Sequence, residues 1–379
     1  MKVSADWLRD PDVLAVTRAL TEAGFDAFFV GGCVRNALIG GGATDIDIAT
    51  NARPDDTIKA AKSAGLKTIP TGKDHGTITV VSGGVGFEVT TYRRDVETDG
   101  RRAVVAFADT IAEDALRRDF TMNALYADSS GAVFDPVGGL DDLRARRVRF
   151  IEDPVRRIAE DRLRALRFFR FHAWYGDKDA GLDPDALAAI ADAVDGLPEL
   201  SNERVGVEVK KLLSAPDPVQ AAAALENCGA LGQIMPGATT RWLGSVVLLE
   251  AYAGLSPDWL RRLVSLGGVD VKEALRLSNT DAQRIQAFSK AFGAPLAEVA
   301  YKFGKDTAWD VAIIDASQAQ QPLPADTSGT IERGARATFP VKASDLPDLN
   351  GKPLGDRLKE LEARWIESDF TLSKSNLLA

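Results

Sequence analysis

Apolar residues recur with two different periods in the first half of the chain. A helical stripe within residues 7–20 predicts an opening helix in residues 1–26, with Gly24 as its stop. Further along, short apolar or β-branched runs predict strands, separated by stretches of helical character. The predicted strands are 28–30, 46–49, 77–81 and 87–92, and the predicted helices are 33–39 and 54–64. This half is therefore expected to combine a small sheet with helices.

The second half of the chain has a helical pattern. Past Gly176 the sequence is rich in alanine, and residues 216–300 predict several short helices separated by Pro and Gly. Residues 320–346 contain three prolines and two glycines and predict a loop or a short extended region. A last helix is predicted over 353–370.

The composition is ordinary for a globular protein, with 45% hydrophobic and 27% charged residues. A length of 379 residues allows two or more domains. The sequence shows no secretory leader, and its longest apolar run, 242–255, is too short to span a membrane and contains Glu250. Two cysteines and two histidines, far apart, exclude a disulfide framework and argue against structural zinc. A cytoplasmic location without a membrane partner is expected.

The formal net charge of −9 is distributed unevenly. Residues 144–170 contain ten arginines against four acidic residues. A basic segment in an acidic protein concentrates positive potential where polyanions bind. The overall acidity therefore does not exclude a nucleic-acid partner.

Candidate chemistry is concentrated between residues 30 and 50. Gly31 and Gly32 separate a strand from a helix, so the backbone can approach a ligand closely and the helix N–H groups can face an anion such as phosphate. Arg35 on the first turn can reach the same anion. Asp45 and Asp47 are two apart on a predicted strand, hence on one face, and paired carboxylates suit Mg²⁺. Each feature alone is common in turns, but this order within about twenty residues indicates phosphoryl or nucleotidyl transfer.

With these motifs the sequence resembles the DNA polymerase β-like nucleotidyltransferase superfamily, in particular the class II tRNA nucleotidyltransferase and poly(A) polymerase family. The family's G-G-x-V-R-D and D-x-D stand here as GGCVRN at 31–36 and DID at 45–47, with Asn36 in place of the usual Asp. R-R-D-F-T-x-N-A is matched in full at 117–124 and E-D-x-x-R at 160–164. Weaker likenesses are FDPVGGLDDL at 134–143 and the neck-bracing E-R-x-x-x-E at 203–208.

The resemblance, strong over roughly residues 25–215, implies an α+β fold class. It implies an N-terminal nucleotidyltransferase head with a small mixed β-sheet, followed by an all-helical neck, body and tail. The expected boundaries are 1–145 for the catalytic head, 146–215 for the neck with the base-reading motif, and 216–379 for a body and tail that bind tRNA.

The resemblance also assigns roles in the head. Asp45 and Asp47 would hold two Mg²⁺ ions, and Glu88, on a neighbouring strand, would orient or deprotonate the attacking hydroxyl. Gly32 and Arg35 would lie on the nucleotide. Arg118 would contact the triphosphate or ribose, and Asp119 would accept from ribose hydroxyls. The alternative for this second motif is a surface helix with i,i+4 ion pairs. The head-domain set is thus Asp45, Asp47, Glu88, Gly32, Arg35, Arg118 and Asp119.

Four further residues, Asp161, Arg164, Arg167 and Arg170, are expected to bind the nucleotide, and the first two to read its base. Asp161 and Arg164, three apart, are predicted to share one helix face. A carboxylate only accepts and a guanidinium only donates, so the pair suits the amine and ring acceptor of cytosine or adenine, while U and G would leave the carboxylate unpaired. The alternative is a local ion pair of little consequence. Arg167 and Arg170 continue at intervals of three, and residues 163, 166 and 169 form the predicted buried stripe.

The function implied is template-independent addition of CCA to the tRNA 3′ end from CTP and ATP, releasing pyrophosphate. Bacterial poly(A) polymerase is the nearest alternative, although GKDHGT at 72–77 and the lack of a strongly basic C-terminal extension favour CCA addition. The motifs are also compatible with an enzyme that adds only CC or only A, and with a catalytically silent RNA-binding module. No protein partner is implied.

Residues 93–103, crowded with charge and containing Gly100, are expected to form a polar loop. In the family the corresponding flexible loop is present in CCA-adding members and missing from CC-adding members. A solvated hairpin tip is the alternative.

Overall fold

The computed structural model describes residues 1–42, 45–98 and 103–379. They form two compact units, Met1–Pro236 and Gly237–Ala379. Residues 146–236 thus belong to the same unit as the head, and the finer division at 145 and 215 stays a prediction. Among the residues described, no helix is long and apolar enough to cross a membrane.

A seven-stranded mixed sheet organises the first unit, which confirms the expected fold class. Its strands are β1 Phe28–Val30, β2 Asp47–Thr50, β3 Lys67–Gly72, β4 Thr77–Ser82, β5 Val85–Thr91, β8 Tyr126–Ala127 and β9 Val133–Phe134; the remaining two, β6 Arg93–Thr98 and β7 Ala103–Phe107, form a separate ribbon. The sheet has the order β3-β4-β5-β2-β1-β8-β9, and among the described strand pairs only β2 and β5 run parallel. Alternation of partly buried and buried residues along β4 turns one face of the strand into the core.

Strand β2 begins later than predicted. Val30 pairs with Asp47, and immediately after Val30 the chain turns at Gly31 into a helix. Strand β1 therefore offers no partner for positions 45 and 46. Asp45 precedes the strand, and the prediction that it shares a strand with Asp47 is wrong.

The expected loop at 93–103 is mostly a two-stranded antiparallel ribbon. Arg93 of β6 pairs with Phe107 of β7. The charges in this segment suggested a loop, but the valines of the two strands and the threonine of β6 favour extended backbone. Residues 99–102, with Gly100, lie outside the described residues.

Eleven α-helices lie among the described residues of the first unit. Pro11 follows Asp10, whose carboxylate accepts a hydrogen bond from the Asp12 N–H (2.8 Å), so the opening helix begins there and is shorter than predicted. The helices are α1 Pro11–Glu22, α2 Gly32–Leu38, α3 Pro54–Ser63, α4 Ile111–Leu116, α5 Gly139–Arg144, α6 Pro154–Glu160, α7 Leu163–Tyr175, α8 Pro184–Asp192, α9 Asn202–Leu213, α10 Val219–Asn227 and α11 Ala230–Ile234.

Helices α6 and α7 are separated by a short non-helical segment at the base-reading motif. Asp161 has extended backbone angles, φ −151° and ψ 103°, and its carboxylate accepts a hydrogen bond from the Leu163 N–H at 3.1 Å. A residue that caps a helix start cannot itself be helical. The prediction that Asp161 and Arg164 share a helix face is therefore wrong. The buried stripe at 163, 166 and 169 is confirmed.

The second unit is helical. Its helices are α12 Leu243–Tyr252, α13 Trp259–Leu266, α14 Val271–Ala274, α15 Asn279–Ala291, α16 Leu296–Phe303, α17 Lys305–Ala319, α18 Thr327–Arg336, α19 Gly351–Glu367 and α20 Lys374–Leu378. Helix α18 lies where a loop was predicted. A Cβ on Gly334 would stand 2.0 Å from the Ala297 carbonyl oxygen, so this glycine permits close packing of α18 on α16 and does not mark a turn.

Candidate active site

The acidic residues of the first motif lie at one end of the sheet. Asp47 of β2 and Glu88 of β5 are direct partners in the parallel ladder. Partners in register point to the same face, so the two carboxylates lie side by side, and both are exposed. Asp45, also exposed, precedes Asp47 by two residues. The structure thus brings Glu88 to the predicted place.

These carboxylates influence one another. Reduced hydration raises the pKa of Asp47, the neighbouring charge of Glu88 raises it further, and Asp45 adds to the effect, while Arg118 acts in the opposite direction. Like charges held together favour a proton or a cation between them. The site is therefore prepared for a positively charged ligand beside Asp47.

The glycine turn of the first motif lies against the second motif. Gly31 has φ 73° and ψ −123°, a conformation that residues with a Cβ rarely adopt. A Cβ there would stand 3.6 Å from Arg118 Nη1 and 3.8 Å from the Asn123 carbonyl oxygen. Two motifs almost ninety positions apart therefore form one surface.

Arg118 is oriented by a buried carboxylate, Asp114, which is 1% exposed. Asp114 accepts hydrogen bonds from the Arg118 guanidinium (3.0 Å), the Arg117 guanidinium (2.8 Å), the Tyr126 hydroxyl (2.8 Å) and the Arg93 N–H (3.2 Å). Burial alone would raise the pKa of Asp114, but the two arginines and the tyrosine hold it well below its usual range. An ionised Asp114 holds the Arg118 guanidinium beside Gly31. The i,i+4 spacing of Asp114 and Arg118 can be seen in the sequence, whereas the burial of Asp114 cannot.

Asp119 is an internal anchor. It accepts hydrogen bonds from the Phe120 N–H (2.8 Å), Asn123 Nδ2 (2.9 Å), and Arg167 Nε (2.7 Å) and Nη2 (2.5 Å). Burial would raise the pKa of Asp119, but Arg167 and Asn123 lower it to about 2. A ribose hydroxyl would reach this carboxylate only by displacing one of these protein donors.

Arg35 is buried, and protein groups hold its guanidinium. Its guanidinium donates to Asn123 Oδ1, to Asn36 Oδ1 (3.0 and 3.2 Å) and to the Tyr175 hydroxyl (2.8 Å). Its Cζ lies 4.0 Å from the centre of the Tyr175 ring and 5.1 Å from that of Phe171. Burial lowers the pKa of Arg35. The aromatic pair on α7 holds the guanidinium, because cation–π and hydrogen-bond contacts both favour this position.

Asn36, where the family has Asp, uses both atoms of its amide. Its Oδ1 accepts from Arg35, and its Nδ2 donates to the Gly42 carbonyl oxygen at 3.0 Å. A carboxylate cannot donate this second bond. Gly32 lies beside the same guanidinium, since a Cβ on it would stand 3.8 Å from Arg35 Nη2.

The two residues predicted to read the base have different surroundings. The Asp161 carboxylate, 34% exposed, pairs with Arg204 at 2.7 Å. Arg164, 13% exposed, donates to Glu160 (2.5 Å) and to the carbonyl oxygens of Arg157 (3.0 Å) and Arg117 (2.8 Å). Arg164 is thus a brace between segments in this structure, and Asp161 is the more accessible of the two.

Arg167 and Arg170 link α7 to other segments. Arg167 pairs with Asp119, as described above, and Arg170 Nε donates to Glu208 Oε2 at 2.5 Å. Glu208 belongs to the segment that the sequence predicted to brace the neck helices, and its contact with α7 agrees with that prediction. Tyr175 and Asp114 are the residues that sequence reasoning missed.

The carboxylates fit a divalent metal that is only partly held by protein. Among the residues described, no group of three His, Cys, Asp or Glu is placed to hold a metal by itself. Mg²⁺ usually takes one or two carboxylates and completes its shell with water and substrate phosphates. Asp47, with Asp45 before it and Glu88 beside it, offers such a partial set.

Comparison with known proteins identifies the family. The family described as "Poly A polymerase head domain" matches residues 27–149, and "Probable RNA and SrmB- binding site of polymerase A" matches 181–241. The CCA-adding enzyme of Geobacillus kaustophilus is 34% identical over 409 residues, covering 97% of this chain and 95% of that protein. The human mitochondrial CCA tRNA nucleotidyltransferase 1 is 42% identical over 200 residues, which cover 52% of this chain and 46% of that protein.

A solved structure agrees with these relatives. The crystal structure of the Bacillus stearothermophilus CCA-adding enzyme in complex with CTP superimposes with a TM-score of 0.72 at 26% identity, covering 95% of this chain and 94% of that one. Matches of this extent cover both the catalytic motifs and the helical second half. The chain belongs to the family of CCA-adding enzymes and poly(A) polymerases, and it is a nucleotidyltransferase.

Proposed function

We propose that this nucleotidyltransferase adds CCA to the 3′ end of tRNA, using CTP twice and ATP once and releasing pyrophosphate. One observation carries the chemical part of the proposal: the in-register pair Asp47 and Glu88 lies near the charged Arg118, which itself lies against the Gly31 turn. Relatives that add CCA support the substrate choice. The cytoplasmic location expected from the sequence is part of this proposal.

The head binds the nucleotide from two sides. Arg118, oriented by Asp114, attracts the triphosphate, and the Gly31 turn lies beside this guanidinium. Asp45 and Asp47 would hold Mg²⁺, which when bound lowers the pKa of the 3′-hydroxyl and neutralises the leaving pyrophosphate. The family implies a divalent metal in general, and Mg²⁺ is our specific proposal. Glu88 orients the tRNA 3′-hydroxyl or accepts its proton.

Asp161 reads the base in this proposal. Its partly exposed carboxylate can exchange Arg204 for the exocyclic amine of cytosine or adenine. We expect Asp161→Ala to weaken discrimination against UTP and GTP by about 1–3 kcal/mol, the value of a base-edge contact. The measurement is kcat/KM for each nucleotide on a tRNA that lacks its 3′ end.

Glu199→Ala is the matched control for Asp161→Ala, since Glu199 forms a nearby exposed ion pair with Arg162 at 2.6 Å. This control is expected to keep the wild-type preference. An unchanged preference in Asp161→Ala would show that its carboxylate is only a structural partner of Arg204.

The β6–β7 ribbon bears on whether addition continues from C to A. The first residue of the ribbon, Arg93, is bonded to the carboxylate that orients Arg118, because its N–H donates to Asp114 (3.2 Å). The Arg93 guanidinium also donates to the His75 carbonyl oxygen (2.6 Å). One pocket must accept cytosine and then the larger adenine, so an element near it has to shift between steps. In this proposal the ribbon makes that shift.

Deleting residues 97–102 is therefore expected to leave the addition of two C residues largely intact while terminal A addition falls steeply. Product lengths at single-nucleotide resolution, with CTP alone and then with ATP added, measure both steps. An undiminished rate of A addition would contradict a role of the ribbon in the change from C to A addition. Equal loss of C and A addition would show that the ribbon is only a structural part of the head.

The proposal is tested by incubating a tRNA lacking its 3′ end with CTP and ATP and measuring the added length. CCA addition predicts three nucleotides and then arrest. A long tail made from ATP alone would identify a poly(A) polymerase, and arrest after two nucleotides would identify a CC-adding enzyme. No extension would contradict the proposed activity.

A further inference from the structure

Tyr175, outside every sequence motif, holds an arginine of the first motif. It is the last residue of α7, and its hydroxyl accepts a hydrogen bond from Arg35 Nη2 at 2.8 Å. The ring lies 4.0 Å from Arg35 Cζ. Arg35 is 6% exposed, so this contact is an internal one between α7 and the helix that follows the glycine turn.

The contact between Arg35 and Tyr175 is part of a hydrogen-bond network that begins and ends on α7. Arg35 donates to Asn123, and Asn123 donates to Asp119 at 2.9 Å. Asp119 accepts from Arg167, which also lies on α7. Arg167 and Tyr175 are eight residues apart, which is about 12 Å along a helix axis. Helix α7 therefore contacts the catalytic motifs through two residues, Arg167 and Tyr175.

The Arg35 guanidinium is held beside Tyr175 by neutral hydrogen-bond acceptors. Three guanidinium groups gather around the Phe171 ring, with centroid distances of 5.1 Å for Arg35, 5.4 Å for Arg167 and 4.4 Å for Arg170. These like charges repel, and carboxylates offset the repulsion at Arg167 and Arg170. Among the described side chains, Arg35 has no carboxylate ion pair, and its acceptors are two asparagines and Tyr175.

We infer that Tyr175 is a positioning residue for nucleotide selection, a role that rests on the proposed function. By fixing Arg35, it sets the placement of α7 relative to the Gly31 turn. Asp161 stands just before α7, and Arg118 stands beside Gly31. The Tyr175 contact therefore sets the spacing between the group that reads the base and the group that binds the triphosphate, and base reading depends on such spacing.

Tyr175→Phe tests this inference. It keeps the ring beside Arg35 and removes only the hydroxyl, while Arg35 Nη2 retains its bond to Asn36. We expect the ratio of kcat/KM for CTP over UTP to fall about tenfold, as for the loss of one hydrogen bond to a charged group. The unfolding temperature should fall by less than about 4 °C. Tyr175→Leu, which removes the ring as well, should lower the ratio further.

Tyr301→Phe is the matched control, because the Tyr301 hydroxyl donates to Glu362 (2.5 Å) within the second unit. It should leave the ratio unchanged. A wild-type ratio in Tyr175→Phe, or an equal loss with CTP and UTP, would overturn the positioning role. Absence of incorporation by the wild-type enzyme would contradict the proposed function instead, so the two failures are distinguishable.

Discussion

Asp47→Ala is expected to abolish incorporation of both CTP and ATP while the protein remains folded. Asp47 is exposed at the sheet end, in register with Glu88 and near Arg118, so its removal costs no core packing. A metal contributes several kcal/mol of transition-state stabilisation, so the loss should be about a thousandfold or more. Single-nucleotide incorporation at saturating Mg²⁺ measures it. Asp45→Ala should behave in the same way.

Asp56→Ala is the control for the Asp47 variant. Asp56 lies on α3, where it forms an exposed i,i+3 pair with Lys59 at 3.2 Å. Its removal should leave incorporation near the wild-type level. Near-wild-type turnover by Asp47→Ala or by Asp45→Ala would show that the metal ligands lie elsewhere.

Glu250→Ala is expected to lower the free energy of unfolding of the second unit by about 3–5 kcal/mol. The reason is that it removes a buried carboxylate and leaves the buried arginine charges beside it without that partner. Glu250 on α12 is 2% exposed and accepts from Arg261 (3.0 Å) and Arg262 (2.8 Å) on α13. Arg261 also pairs with Asp310 of α17 at 3.0 Å, so the acid is central to a buried network. Denaturant unfolding followed by tryptophan fluorescence measures the change, since four of the six tryptophans lie in this unit.

Glu298→Ala provides the comparison within the same unit. Glu298 pairs with Lys302 one turn away at 2.7 Å on a more exposed surface. Its removal should change the free energy of unfolding by less than about 1 kcal/mol. Equal effects of the two variants would contradict the structural role of the buried network.

The sequence predicted those parts of the fold that depend on local patterns. The run at 28–30, the glycine pair and the strands 77–81 and 87–92 were placed from hydrophobic periodicity and turn residues, and the sheet follows them. Local chemistry was sufficient for these elements. The role expected for Glu88 came from the family resemblance, and the register of Glu88 with Asp47 agrees with it.

Other features depend on partners distant in the sequence. Arg35 could not be assigned to Tyr175, because 140 positions separate them and no local signal links them. The i,i+4 spacing of Asp114 and Arg118 is the same in a surface pair and in a buried one, so burial decided its role. Gly334 resembled a turn residue, whereas tertiary packing against Ala297 requires it. The break at Asp161 arises from a capping bond that competes with helix continuation.

Sequencing the 3′ ends of tRNA is the most direct test of the central claim, that this protein adds CCA without a template. A tRNA lacking its 3′ end is incubated with the enzyme and all four nucleoside triphosphates, and the new ends are read individually. We expect ends that read C, CC and finally CCA, with U and G rare and no growth beyond the terminal A. Runs of A, frequent U or G, or unextended ends would contradict the account.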